Sequence, residues 1–307
     1  MKVAIKTLGC KVNQVESDIL ATTFSQEGVE VVNFGEEADL YIVNSCAVTR
    51  EAENKTRQLV NRVLRNNLAP RVILTGCYAR LISQEEKNPF EEPVFLLPDF
   101  PKEKEILNLV GKWWGKKFTL AEYPLPSRAR VWLKIEDGCD HFCSYCLIPH
   151  LRGNIKSEKK EKIIRQAQAL ERRGIREIVL CGVNLGYYGK NRGEKELINL
   201  LEELVDNTTL VRFRLSSFEP FLLDEEFIKR YFSLQDRVCP HFHLPLQSGS
   251  DRVLKSMRRG YDTAYYRALV SLLRSYCPTV AISTDIIVGF PGEEKEDFEN
   301  TISFSQE

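Results

Sequence analysis

The sequence predicts an α/β protein: an N-terminal α/β domain built on a parallel sheet, followed by a partial (β/α) barrel. Three observations lead there. Short apolar runs alternate with helical patterns along the 307-residue chain, the βα rhythm that implies parallel strands joined by right-handed crossovers. A stretch at 119–130, carrying Pro124 and Pro126, separates two such series and reads as a linker. Cysteines stand where strand patterns end, which is where open α/β sheets gather their ligands. The chain thus divides into a domain at 1–118, a linker at 119–130 and a second domain at 131–307.

In the first domain, residues 3–8 read as a strand ending at Gly9-Cys10, and a helical pattern follows from about 13 to 26. Residues 40–43 run into Asn44-Ser45-Cys46, before a long amphipathic helix at 49–67 rich in Glu, Lys and Arg. Residues 72–75 run into Gly76-Cys77, with a further helical stretch beyond. Three strands each deliver one Cys at the carboxyl end, which favours a shared site over three packing coincidences. Trp113-Trp114 is expected to pack a helix. In the second domain the strand patterns are 131–136, 177–181, 211–216, 241–246 and 280–288. Helical patterns lie near 158–173, 194–206, 224–232, 262–275 and 294–305. No repeat of fixed period and no low-complexity segment interrupts this order.

Composition excludes several classes. With 43% apolar and 28% charged residues, collagen-like and disordered chains are out. No apolar run approaches the roughly 20 residues of a membrane span, and the start, MKVAIKTLGC, lacks the zones of a signal peptide. A cytoplasmic protein with no membrane partner is expected. Lys and Arg number 43 against 43 Asp and Glu, so overall charge names no partner. Nine cysteines in that compartment read as metal ligands or buried thiols before disulfides.

The chemistry concentrates in Cys139-Asp140-His141-Phe142-Cys143-Ser144-Tyr145-Cys146, a C-x3-C-x2-C run after a strand. Structural zinc takes four ligands, which here would need His141 or His150 as the fourth. Three thiolates alone suit a four-iron cluster with one iron open to a substrate or cofactor. Cys181, Cys239 and Cys277 read as inert thiols. Of His241 and His243, one is expected to point inward as a satisfied core histidine.

CDHFCSYC after a barrel strand resembles the radical S-adenosylmethionine (SAM) superfamily. The upstream segments TLGCKVNQVES, YIVNSCAVTREAENK and ILTGCYA narrow the resemblance to its methylthiotransferases, whose N-terminal domain carries three cysteines. CLIPHLRG, GVNLGYYG, RLSSFEP, LPLQSGSDRVLKSMRRGY and STDIIVGFPGE match in order along nearly the whole chain. The run Cys10-Lys11-Val12-Asn13-Gln14 and the QSGS at 247–250 are most like the branch that acts on threonylcarbamoyladenosine at tRNA position 37.

The resemblance implies two [4Fe-4S] clusters, one on Cys139, Cys143 and Cys146 and one on Cys10, Cys46 and Cys77, with SAM as the further cofactor. It implies that one electron from the first cluster cleaves SAM, that the resulting 5′-deoxyadenosyl radical takes an adenine hydrogen, and that the second cluster takes part in sulfur delivery. A second SAM supplies the methyl group. Tyr145 is expected beside the SAM adenine, and Gly182, Asn184, Ser216, Gln247 and Gly289 near SAM, with turn-forming roles as the alternative. No acid or base is assigned. Arg128–Arg176 holds 12 Lys and Arg against six acids, and Arg252–Arg274 six against one. Within them Arg152, Arg258 and Arg259 are the expected phosphate contacts. The implied partners are the tRNA anticodon loop and an electron donor such as a flavodoxin or ferredoxin. Alternatives of substrate are isopentenyladenosine tRNA or a ribosomal-protein side chain. An alternative of another class is a non-catalytic iron–sulfur or zinc RNA-binding protein. Family members continue past the FPGE segment into a sixth barrel strand and a TRAM domain, so the chain is expected to be short of the working enzyme.

Overall fold

Five parallel strands, in the order β2-β1-β3-β4-β5, carry the first part of the chain. They are β1 Lys2–Thr7, β2 Glu30–Val32, β3 Leu40–Ser45, β4 Arg71–Gly76 and β5 Val94–Leu97, interleaved with α1 Lys11–Gln26, α2 Arg50–Asn66, α3 Cys77–Gln84 and α4 Glu103–Trp114. The computed structural model describes residues 1–66, 71–86, 88–90, 93–125, 130–190 and 196–307. The chain forms two units, one of residues 1–127 with His150–Gly153, the other of residues 128–149 and 154–307.

In the first unit, β3 is central and buried at all six positions, as a parallel strand covered on both faces must be. Val3, Leu40, Ile42 and Ile73 of the sheet pack with Leu20 and Phe24 of α1 and Ile106 and Val110 of α4. The expected packing of the tryptophans is present: Trp114 meets Phe24 edge-on at 6.3 Å and Trp113 lies 4.7 Å from Phe95. The edge strands β2 and β5 were not anticipated, because three or four residues beside a turn leave too short an alternation to read. The segment expected as a linker is tied onto α1: Ala121 N donates to Thr23 Oγ1 (2.9 Å) and Leu125 N to Thr22 Oγ1 (2.7 Å). Residues 126–129 of that linker, residue 67 of the second expected helix and 194–195 of a later one lie outside the described residues.

The second unit holds β6 Arg130–Lys134, β7 Glu136–Asp137, β8 Lys156–Ser157, α6 Lys160–Arg172, β9 Glu177–Cys181, α7 Leu197–Asp206, β10 Arg212–Leu215 and α8 Glu225–Ser233. Then come β11 His241–His243, α9 Asp251–Ser256, α10 Thr263–Tyr276, β12 Ala281–Ser283 and α11 Lys295–Gln306. α5, Ile148–Arg152, bears the segment that joins the first unit. β6, β9 and β10 pair in parallel, as do β11 and β12, and a parallel bridge from Ser217 to His243 links the two groups. Five parallel strands therefore follow one another in chain order, the wall of a βα barrel.

Four strands of this unit, β6, β10, β11 and β12, are shorter than expected. Pro245 has no N–H, so the ladder between β11 and β12 is interrupted there: Leu246 N donates to the Thr284 Oγ1 side chain (2.7 Å), and backbone pairing resumes only at Gln247. The strand expected at 131–136 breaks at Ile135, and Glu136 turns away to pair antiparallel with Ser157. His241 and His243 correct an error of geometry. Residues two apart on a strand share a face, and both rings reach Ser283 Oγ, at 3.2 and 3.0 Å, while Phe242 between them is fully buried.

Candidate functional site

In the first unit three cysteines lie at the carboxyl ends of β1, β3 and β4. Cys10 caps α1, Cys46 follows β3 and Cys77 opens α3. Gly9 and Gly76, just ahead of two of them, have φ of +99° and +91°, a region open to glycine and strained for other residues. A Cβ at Gly9 would stand 2.9 Å from Cys46 Sγ, so the missing side chain is what lets these two loops touch. Asn13, one turn into α1, fastens them further: its Nδ2 donates to Leu8 O (2.9 Å) and Ser45 O (3.0 Å).

Behind the triad lies a buried charged network. Lys102 Nζ sits 2.7 Å from Glu16 Oε2 and donates to Asn44 Oδ1 at 2.7 Å. Arg152 Nη1 donates to Glu16 Oε1 at 3.1 Å, and its Nη2 donates to Asn13 Oδ1. Burial pushes the Cys46 and Cys77 thiols up. The Cys46 thiol feels the charges of Cys77 and Cys10, and Arg152 pulls the Cys77 thiol back down through its charge and a hydrogen bond. The three thiols are electrostatic neighbours in a cationic setting.

In the second unit Gly138 (φ +85°) precedes Cys139. The loop is held by its own backbone, with Cys143 N donating to His141 O and Cys146 N to Cys143 O, both at 3.0 Å. It is also tied to the end of α9, since Ser144 N donates to Met257 O (3.1 Å) and Ser144 Oγ to Ser256 O (2.9 Å). Burial pushes the Cys139 thiol up to about 11, against hydrogen bonds from His141 N–H and the Asn184 amide. Arg259 Nη1 donates to Cys143 Sγ (3.1 Å) and Tyr145 Oη (3.2 Å), and its Nη2 donates to Glu219.

The expected SAM contacts fall into three kinds. Asn184 and Ser216 are each 4% exposed, and among the described residues Asn184 Oδ1 and Ser216 Oγ have no hydrogen-bond partner. Orphaned polar atoms of this kind cost about 1–3 kcal/mol each, which suits residues that meet a polar ligand. Asn184 Nδ2 also reaches Cys139 Sγ (3.8 Å). Gln247 holds φ +68° while its backbone is strapped to Asp285 and Ile287 (2.8 and 2.9 Å), and strained backbone of this kind gathers at ligand sites. At Gly182 and Gly289 the backbone itself shows what the absent side chain allows. A Cβ on Gly182 would collide with the Glu136 side chain, and Gly289 (φ +77°) shapes a turn whose N–H donates to Glu293 Oε2 (2.5 Å). Tyr145 turns its hydroxyl to Arg259.

Sequence comparison adds the family. The radical SAM superfamily profile matches residues 133–305, and one described as an uncharacterized protein family, UPF0004, matches residues 2–96. The threonylcarbamoyladenosine tRNA methylthiotransferase MtaB of Aquifex aeolicus is 38% identical over 99% of this chain and 77% of its own. The chain belongs to the radical SAM methylthiotransferases. The tRNA-2-methylthio-N(6)-dimethylallyladenosine synthase of Dictyoglomus thermophilum is 35% identical, over 97% of this chain and 71% of its own. Among solved structures, the radical SAM methyltransferase TsrM of Kitasatospora setae superposes with a TM-score of 0.68 at 15% identity, covering 99% of this chain and 72% of its own. That likeness establishes the fold alone.

As a radical SAM enzyme the methylthiotransferase uses SAM and a [4Fe-4S] cluster. The three soft thiols of Cys139, Cys143 and Cys146, with the unsatisfied polar atoms of Asn184 and Ser216, fit that pair of cofactors. Among the described residues no three His, Cys, Asp or Glu groups converge on one point as a single metal ion requires. A cubane cluster asks for less, since each thiolate binds its own iron. His141 packs its ring on Phe221, with centroids 5.1 Å apart.

Two of the three expected phosphate contacts need correction. Arg152 is 6% exposed and Arg259 9%, and each guanidinium is ion-paired with one carboxylate beside a cysteine, Arg152 with Glu16 and Arg259 with Glu219. Arg258 is exposed, at a left-handed φ of +59°. Sequence reasoning also missed the acids that hold these cations, Glu16 and Glu219. Both stand inside quoted motifs, VNQVES and SSFEP; for Glu16 the signal was its place about a turn and a half beyond Cys10, while for Glu219 it was only membership of a motif at a strand end. Lys102 carries no such signal, because a lone Lys ahead of a helix reads as solvated. Among the described residues no helix is long and apolar enough to cross a membrane.

Proposed function

We propose that this enzyme converts the threonylcarbamoyladenosine of tRNA, at position 37, to its 2-methylthio form, and that it carries a second [4Fe-4S] cluster on Cys10, Cys46 and Cys77. The observation that carries the substrate is the Cys10–Gln14 run, in which Asn13 binds the Cys10 and Cys46 loops together, in a chain 38% identical to a relative named for that reaction. The second cluster is supported by three strand-end thiols within one another's electrostatic reach, backed by Lys102 and Arg152.

The adenine C–H is too weak an acid for base chemistry, so the route is radical, and SAM with the cluster on Cys139, Cys143 and Cys146 supplies one-electron chemistry when bound. This chain's residues do the holding. The loop from Cys139 to Cys146 presents three donors on backbone hydrogen bonds. Asn184 and Ser216 offer polar atoms to SAM, and burial around them excludes water. The target base leaves the anticodon-loop stack to react, as single-stranded recognition allows, and Arg258 is the phosphate contact that stays accessible. An electron donor such as a flavodoxin or ferredoxin completes the cycle.

Mass spectrometry of tRNA nucleosides from a deletion strain tests the substrate. Loss of 2-methylthio-threonylcarbamoyladenosine, regained on complementation with the full-length gene, supports the reading. Loss of the methylthiolated dimethylallyl or isopentenyl nucleoside instead transfers the enzyme to the branch of the Dictyoglomus relative.

A further inference from the structure

We infer that Arg259 is a positioning residue for the cluster ligand Cys143, and that the Arg259–Glu219 pair sets how readily the cluster on Cys139, Cys143 and Cys146 accepts its electron. The guanidinium is held on every side. Nη1 faces Cys143 Sγ at 3.1 Å and Tyr145 Oη at 3.2 Å, Nη2 faces Glu219, and Nε donates to Tyr261 Oη at 3.1 Å. Its side chain is 1% exposed. Tyr261 Oη in turn donates to the carbonyls of Pro245 and Leu246, at 2.5 and 3.1 Å. The fork is thus fixed before any cofactor binds.

Backbone geometry brings donor and thiol together. The turn that ends α9 puts Arg258 in the left-handed region and bonds Arg259 N to Leu254 O at 3.0 Å. The same helix end holds the cysteine loop through Ser144. The distance from Nη1 to Cys143 Sγ is therefore set by two elements that share one anchor.

The consequence is electrostatic. Reduction adds negative charge that spreads onto the thiolate sulfurs, and hydrogen bonds to those sulfurs are among the levers that set a cluster's potential. A charged donor in a dry site favours the reduced form, raising the potential. Glu219 opposes it with the other sign from the far side of the same guanidinium. The two residues therefore act in opposite directions on one quantity, although they form one ion pair.

That opposition is the test. The full chain is reconstituted anaerobically and titrated with dithionite, following the electron paramagnetic resonance signal that SAM addition perturbs, with iron content and SAM affinity measured for each protein. Arg259→Gln is expected to shift the midpoint to lower potential, and Glu219→Gln to shift it higher. Arg259→Lys is expected to fall between Arg259→Gln and the parent, because it keeps the charge and loses the planar fork. A merely structural pair would move both glutamine variants the same way. Shifts of one sign, or an unmoved midpoint, overturn the inference. If Arg259→Gln does not retain its cluster, the near-isosteric Glu219→Gln decides alone, and a midpoint unchanged or lowered in it is the contrary result.

Discussion

Arg152 Nη1 lies 3.1 Å from Glu16 Oε1, with the two side chains 0% and 2% exposed. Arg152 is six residues beyond Cys146 in sequence, yet His150–Gly153 belongs to the first unit. Glu16 is shared with Lys102, itself fully buried. Removing one member of a buried ion network leaves a desolvated charge behind, at a cost of about 3–5 kcal/mol. Glu16→Gln should therefore destabilise the first unit by about that amount. Urea unfolding checks it, and a change below about 1 kcal/mol would mean that the network is solvated.

Gly76→Ala should disturb the first cysteine triad directly. At φ +91° a side chain is strained, and the new Cβ would meet the backbone O and N of Ser45 and the amide oxygen of Asn44. Gly28, at φ +75° with nothing within 4 Å, is the matched control and bears only the conformational cost of about 1–2 kcal/mol. Iron analysis after reconstitution should show metal lost in Gly76→Ala and retained in Gly28→Ala.

Ser216→Ala should weaken SAM binding while leaving the apo protein as stable or more so. Its buried hydroxyl has no partner among the described residues, so deletion removes an unsatisfied group. If the hydroxyl meets SAM, the loss is about 0.5–1.5 kcal/mol, a few-fold to about tenfold in affinity. Calorimetric titration with SAM measures this, and an unchanged affinity would leave Ser216 outside the SAM site.

The attachment of α11 should be pH-dependent. Hydrogen bonds from Arg252 and Ser250, with the capping box of its own helix, hold the Asp297 carboxyl well below the usual carboxylate range. A depressed folded pKa gives stability that is fully present above the unfolded value of about 3.9 and is lost as pH falls below it. Melting temperatures of the parent and Asp297→Asn should therefore differ at neutral pH and converge toward pH 2. A constant difference would assign the loss to packing.

The fold was legible where it rested on long patterns. The rhythm of apolar runs marks the three central strands of the first sheet and five strands of the barrel wall, because burial imposes that rhythm on many residues at once. Two-residue elements such as β7 and β8 impose too little to be read. At the site, the C-x3-C-x2-C spacing singled out Cys139, Cys143 and Cys146, and strand-end placement singled out Cys10, Cys46 and Cys77. The roles of Arg152 and Arg259 were not legible. A basic residue near a cluster motif looks the same in sequence whether it faces RNA phosphate or a buried acid, and only Glu16 and Glu219, each at least 40 positions away, decide it.

Iron stoichiometry tests the central claim, two cysteine triads with separate duties, most directly. The full chain, reconstituted anaerobically, should hold about eight irons and cleave SAM on reduction, while Cys10→Ala/Cys46→Ala/Cys77→Ala should hold about four and still cleave it. About four irons in the parent, or SAM cleavage abolished in that folded triple variant, would contradict the account.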